Sequence, residues 1–371
     1  MTLREIIKYI IPYGLENDMR HYRDKKNGHL LVDAYLEYLR NNGDTKLKEE
    51  PSRYKSIIAV QGFGNSGSSA VLDFLREMRN IQVFGDVEKI ASVAEDDEYS
   101  YEVTFPHLSG GLFDIEKYID SSNIFHNDSV INRFVSIMEH SLMYRNSPEV
   151  RPAVFKFLAQ ITNFMLPNLE QKYYNAALSP ITEKGSTIFT MKHFDKESYR
   201  TLCRHFLNEL FNSFNLPKET EHIALDQFFC DLEFDMERYL EYLPNIKVIV
   251  VYRDPRDIYA FSKMRNVEWI PHTDVETFVE WIRLSTEKFN LHSHEYLSVR
   301  YEDFVLDYEK EKNRVTDFLG INSENHVHKR KAFDPDVSKR LVGLWKQHPE
   351  DNEKYKFIYD NLKEYCYETP T

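Results

Sequence analysis

Residues 57 to 79 read IIAVQGFGNSGSSAVLDFLREMR, and this stretch decides the fold. Ile57 to Val60 form an apolar run without polar alternation, as suits a strand buried on both faces of a parallel sheet. Gly62, Gly64 and Gly67 follow, and then Val71, Leu72, Leu75 and Met78 fall on one helical stripe. The order is strand, glycine loop, helix. Such a loop aims successive backbone N–H groups and the positive end of a helix dipole at one point, which makes it a cradle for a phosphate-like anion. Gly62 and Gly67 fit the spacing of the nucleotide-binding G-x-x-x-x-G-K-[ST] loop, but Ser68 stands where the lysine belongs. An ATP-dependent phosphotransferase needs that lysine, and a carboxylate on a neighbouring strand to hold magnesium. The second strongly apolar strand, KVIVVY (247–252), ends instead in Arg253. These residues suit an anion without a metal.

Working outward, IQVF (81–84) reads as a second strand that ends at Gly85 and the acidic residues Asp86 and Glu88. STIFTMKHF (186–194) reads as a third, emerging at Lys192 and His193, KVIVVY as the fourth, and YLSVRYEDF (296–304) as the fifth. Helices are expected over 1–16, 29–41, 196–214, 253–265, 274–291 and 308–320, the last closed by Gly320. Residues 107–180 read as a mostly helical insertion on the acceptor side. The resulting organisation is a helical segment over 1–53, then an α/β domain over 54–371 built on an open parallel sheet of about five strands.

Composition narrows the partners. With 371 residues, 42% of them apolar, the chain holds an ample core, and a formal charge of −13 argues against a nucleic-acid binder. Cys203, Cys230 and Cys366 have no metal-ligand spacing and cannot all pair, so a reducing compartment is expected. No apolar run reaches membrane-spanning length and no signal peptide is evident, which points to the cytoplasm. The amphipathic helix over 1–16 packs on the body of the protein or, through residues 1–11, makes weak peripheral contact with a membrane.

Taken together, GFGNSGSSAVLDFL, VIVVYRDPRDIYAFS, VRYEDFVLDYEKEKNRVTDFLGI and SKRLVGLWK resemble, in order, four motifs of the sulfotransferases that use 3′-phosphoadenosine 5′-phosphosulfate (PAPS). The resemblance covers about 80 residues. It implies a P-loop-like α/β fold, PAPS as donor, PAP as product and no metal. It also implies that the backbone of Gly64, Asn65, Ser66, Gly67, Ser68 and Ser69, with the hydroxyls of Ser68 and Ser69, holds the 5′-phosphosulfate, and that Arg253 and Ser262 hold the 3′-phosphate. Two departures stand out. Asn65 replaces the Lys or Arg common before the Ser-Gly pair, with Lys192 as a substitute cation, and Ser262 lies nine rather than eight residues after Arg253, about 100° further round a helix. From the basic tail, Lys331, Lys339 and Arg340 are candidates for the 3′-phosphate, and Trp345 and Phe333 for the adenine.

The family's base is a His or a Glu, and the candidates here are Glu88, Asp86 and His193. REIIKYIIPYG (4–14) is similar to the N-termini of bacterial polysaccharide-biosynthesis enzymes, so the expected acceptor is a hydroxyl of a carbohydrate or polysaccharide. A P-loop nucleotide kinase and a non-catalytic PAP- or PAPS-binding protein are the rival readings.

Overall fold

A computed structural model of the chain describes residues 30–41, 45–84, 111–119, 124–166, 188–228, 236–287 and 296–368. The helix expected over 1–16 and the acidic residues Asp86 and Glu88 lie outside the described residues. The strands are β1 (Ser56–Gly62), β2 (Ile81–Phe84), β3 (Thr162–Leu166), β4 (Ile188–Met191), β5 (His222–Asp226), β6 (Ile246–Tyr252) and β7 (Tyr296–Arg300). The chain divides into two compact units, one of residues 1–51 and 110–214, the other of residues 52–109 and 215–371.

The second unit is built on a five-stranded sheet in the order β2-β5-β1-β6-β7, parallel throughout. All seven residues of β1 are buried, because helices cover both faces of a parallel sheet and a central strand has no solvated side. On one face Ile58, Val60, Ala224, Ile249, Val251 and Val299 pack against Val71, Phe74 and Leu75 of the helix Ser68–Arg76 and against Phe304 and Val315 from the helices Tyr301–Leu306 and Tyr308–Leu319. The connection leaving β1 moves towards β2, whereas the one leaving β6 moves away towards β7. The order therefore reverses beside β1, and in such sheets the ligand crevice opens at the carboxyl ends of the strands flanking the reversal. Those ends here carry Gly62 and Arg253.

Three strand expectations change. STIFTMKHF contributes β4, but it pairs antiparallel with β3 inside the first unit and adds nothing to the parallel sheet. Its place beside β1 is taken by HIALD (222–226), a strand the sequence reading did not assign. The strand beginning at Tyr296 stops at Arg300, and Tyr301–Leu306 turns into a helix with Glu302 and Asp303 in its first turn, where carboxylates suit the helix dipole. The expected insertion, helical over much of its length, also contains β3.

The first unit is mainly helical around an aromatic core. Phe157 stacks on Phe206 with centroids 4.4 Å apart, and Phe134 meets both edge-on. Lys156 and Glu209 form a buried ion pair at 2.9 Å. Among the described residues no helix is long and apolar enough to cross a membrane.

Candidate active site

The glycine loop leaves β1 and doubles back at once: a Cβ on Gly62 would stand 2.0 Å from Ser66 Oγ. Asn65 (φ 56°) and Gly67 (φ 89°) both adopt the left-handed conformation. Gly67 needs its missing side chain twice over, since a Cβ there would also lie 2.4 Å from the Tyr301 ring. Alternating a left-handed residue with its neighbours turns successive N–H groups to one side, the geometry of an anion nest. Among the described residues no acceptor meets the backbone N–H groups of Gly64, Asn65, Ser66 or Gly67. The helix Ser68–Arg76 then starts with no side-chain cap and no acidic residue in its first turn. A helix start normally satisfies these donors with Ser, Asp or Asn, so this one leaves them as donors that an anion could meet.

Side chains from the neighbouring strand ends fix the loop. Gln227, itself at φ 47° just past β5, donates from Nε2 to Ser68 Oγ at 3.2 Å, and its Oε1 accepts from Gly62 N–H at 3.4 Å. Arg253 is only 4% exposed, and its two terminal nitrogens donate to Asn65 O (3.1 Å) and Leu341 O (2.8 Å). Its guanidinium lies 4.8 Å from the Tyr301 ring centroid, while its Nε–H is buried with no partner among the described residues. Burial and two carbonyl contacts make this arginine a brace between the glycine loop and the segment that carries Leu341. Ser262 does reach the loop in spite of its offset, because Asn65 Nδ2 donates to its Oγ at 2.9 Å. Its own proton goes to Ile258 O at 2.7 Å, so Ser262 orients Asn65 and has no O–H left for a phosphate.

The segment after Ser338 is fastened to the same strand end. Asp257 accepts from Gly343 N–H (2.8 Å) and Trp345 N–H (3.0 Å), and burial pushes its carboxyl up to about 6. Trp345, half-buried, packs 4.3 Å beneath the Arg256 guanidinium and against Tyr355, and Phe333 is buried on Phe304 and Tyr308, so Phe333 belongs to the protein interior and not to an adenine site. Lys331, Lys339 and Arg340 are exposed, and Lys339 Nζ lies 2.6 Å from Asp336 Oδ1.

Lys192 and His193 belong to the first unit and follow β4, which is not a strand of the parallel sheet they were expected to end. Lys192 Nζ donates to Ala159 O at 2.9 Å, and His193 is exposed. The sequence reading missed Asp226, the last residue of β5. It lies in register with Val60 beside the loop, burial raises its carboxyl to about 6, and Oδ1 has no partner among the described residues. An apolar run ending in a carboxylate was the available signal, the same kind that singled out Arg253.

A family model described as "Sulfotransferase family" matches residues 128–325, more than half of the chain. The chain belongs to the sulfotransferase family. The match includes β5, β6 and β7 and begins after the glycine loop. Three solved structures are similar to this sulfotransferase at low identity. Sulfotransferase STF9 from Mycobacterium avium is 10% identical (90% of this chain and 84% of that one, TM-score 0.38). The sulfotransferase domain of the Synechococcus PCC 7002 olefin synthase is 12% identical (88% and 99%, TM-score 0.36). Retinol dehydratase in complex with androsterone and inactive cofactor PAP is 14% identical (85% and 83%, TM-score 0.30). No curated protein matches.

One further carboxyl of this sulfotransferase gives the fold a pH dependence. Glu302, 1% exposed at the start of the helix after β7, accepts Asp254 N–H at 2.8 Å on Oε1, whereas Oε2 has no hydrogen-bond partner among the described residues and lies 3.9 Å from Arg300 Nε. Burial pushes its pKa from an ordinary 4.5 to about 7. The folded protein therefore binds this proton more tightly than the unfolded chain does. The resulting stabilisation is complete below about 4.5 and is lost as pH rises through about 7. Glu302→Gln keeps the acceptor for Asp254 and removes the buried charge. Urea unfolding should find the variant more stable than the parent at pH 8, by on the order of 3 kcal/mol, and equal to it near pH 4.5. An unchanged difference between the two pH values would refute this account.

Proposed function

We propose that this sulfotransferase moves the sulfuryl group of PAPS to a hydroxyl of a sugar or glycan. The observation that carries the donor assignment is the uncapped loop, with Asn65 and Gly67 left-handed and the N–H groups of Gly64 to Gly67 unpartnered among the described residues. Those donors and the hydroxyls of Ser68 and Ser69 would hold the 5′-phosphosulfate. The Nε–H of Arg253, without a partner among the described residues, and the exposed charges of Lys331, Lys339 and Arg340 would serve the 3′-phosphate. PAPS supplies the electrophilic sulfur. The loop's donors neutralise charge on the equatorial and bridging oxygens, and a carboxylate at the carboxyl edge of the sheet takes the acceptor hydroxyl's proton as its oxygen bonds to sulfur and the bond to the 5′-phosphate breaks. Glu88, four residues beyond the end of β2, is the carboxylate we favour, with Asp86 and Asp226 as alternatives and His193 as the sole imidazole among the candidates.

Asp226 also gives the kinase reading something it lacked, an acidic end on the strand beside β1 where a phosphotransferase would hold magnesium. Ser68 in the lysine position and family membership weigh against that reading. Thermal unfolding distinguishes the two. PAP at 100 times its Kd should stabilise the protein by about 2.7 kcal/mol, visible as a raised Tm, with a much smaller effect from ATP and magnesium. A larger shift with ATP and magnesium would reverse the assignment.

A further inference from the structure

Trp269 is unusual in its surroundings. It is 66% exposed, yet the far edge of its indole presses on the loop: a Cβ on Gly64 would lie 2.4 Å from its Cη2 and 2.8 Å from Ile270 Cδ1. A singly exposed aromatic ring is ordinary on a protein surface, but this one borders the glycine loop and is not free to fold away. The turn that carries it starts at Asn266 (φ 50°) and is held by Val267 N–H to Ser262 O (3.0 Å), Ile270 N–H to Val267 O (3.2 Å) and His272 N–H to Ile270 O (2.7 Å). Ile270 and His272 are buried beneath it, and Trp281 meets the indole edge-on at 6.5 Å. Ser262 thus anchors both the turn and, through Asn65, the glycine loop. The indole is held in fixed relation to the place where the phosphosulfate would lie.

We infer that Trp269 is the stacking platform for the acceptor, and that the acceptor it takes is a sugar ring. This rests on the sulfotransferase reading above. A pyranose offers one face of C–H groups to an aromatic plane and a rim of hydroxyls to polar neighbours. Trp269 provides that plane in the open, and the chain around it supplies exposed Asn266, Glu268, Thr273 and Asp274 to meet hydroxyls. A planar apolar acceptor such as a phenol or a fused-ring alcohol is instead bound by burial of most of its surface in an apolar cavity, which an exposed ring with a charged rim does not offer. Stacking on Trp269 would bring a ring hydroxyl next to Gly64, at the anion-binding end of the site.

The test uses the full chain, radiolabelled PAPS, and cellotetraose, maltotetraose, chitotetraose and p-nitrophenol as acceptors, with PAP binding measured by calorimetry as the control. At least one tetrasaccharide should be sulfated in preference to p-nitrophenol. Trp269→Ala should raise its KM by about tenfold or more with kcat little changed, and Trp269→Phe, which keeps an aromatic face, should restore most of the loss. PAP affinity should be the same in all three proteins. An unchanged KM in Trp269→Ala, a preference for p-nitrophenol, or no sulfation of any tetrasaccharide by a parent that binds PAP overturns the platform and leaves the sulfotransferase reading in place. A parent that fails to bind PAP overturns that reading and this inference with it.

Discussion

Replacing Arg253 by alanine should cost the fold about 3 kcal/mol and, in the same variant, weaken PAP binding about 30-fold or more. The stability loss follows from what the guanidinium touches. It donates to Asn65 O and Leu341 O from a position 4% exposed and lies 4.8 Å from the Tyr301 ring. Each contact from a charged donor contributes about 1.5 to 3 kcal/mol, and truncation also leaves two carbonyls to find water in a closed space. The binding loss has two sources: the Nε–H, which has no partner among the described residues, and the loop itself, whose left-handed Asn65 is held through its carbonyl by this side chain. Urea unfolding and calorimetry at low temperature, where the variant remains folded, measure the two effects separately. Arg253→Lys should fall between parent and alanine, since an ammonium can reach one carbonyl but cannot span two with a planar fork. Lost binding at parental stability would show that the brace is unimportant. Lost stability with parental binding would place the 3′-phosphate elsewhere.

Glu88→Gln should lower turnover by about 10² to 10⁴ while PAP affinity stays near the parental value, because the amide keeps the shape of the side chain and loses the lone pair that takes the proton. Asp226→Asn is the necessary companion measurement. Asp226 ends the strand next to β1, whereas β2, which precedes Glu88, lies one strand further out. A base with the raised pKa of Asp226 also predicts its own signature, a rise of kcat/KM with pH through about 6. If Asp226→Asn removes activity and that rise, while Glu88→Gln retains both, the base is Asp226. Normal turnover in both variants, and in Asp86→Asn and His193→Ala, would move the proton acceptor off these residues altogether.

The sequence announced some parts of this site far more clearly than others, and the reasons are physical. β1 and β6 were legible because a strand buried on both faces needs an unbroken apolar run, and the glycine spacing between β1 and its helix has few other uses. β5 was hidden by its own chemistry: HIALD holds three apolar residues, opens with a histidine and follows Glu221. Only the fold reveals that His222 is buried with Ser56 Oγ 2.7 Å from its Nδ1, a pairing across 166 residues that no local pattern encodes. β4 shows the opposite failure, since a local run of residues identifies a strand but not the sheet it joins, and β3 sits inside a stretch that otherwise reads as helix. Arg253 was legible as a residue and illegible as a brace, because its contacts come from Asn65 and Leu341, distant in sequence. The offset of Ser262 counted against it on helical spacing alone; Asn65 spans the gap.

The order of strands in the sheet also bears on how the chain is made. β1 occupies the middle position, yet both of its partners are synthesised much later, with Ser56 opposite His222 and Ile57 opposite Ile246. At ribosomal rates of about 5 to 20 residues per second, the segment IIAVQG spends roughly ten to thirty seconds outside the ribosome with both hydrogen-bonding edges unpaired. An apolar strand in that condition is a template for pairing with other chains. The loop-closure entropy of joining such distant segments makes the central pairing a late event in refolding as well. A fragment that carries the glycine loop but ends before His222 should therefore leave β1 without its partners, and is expected to aggregate where the full chain stays in solution.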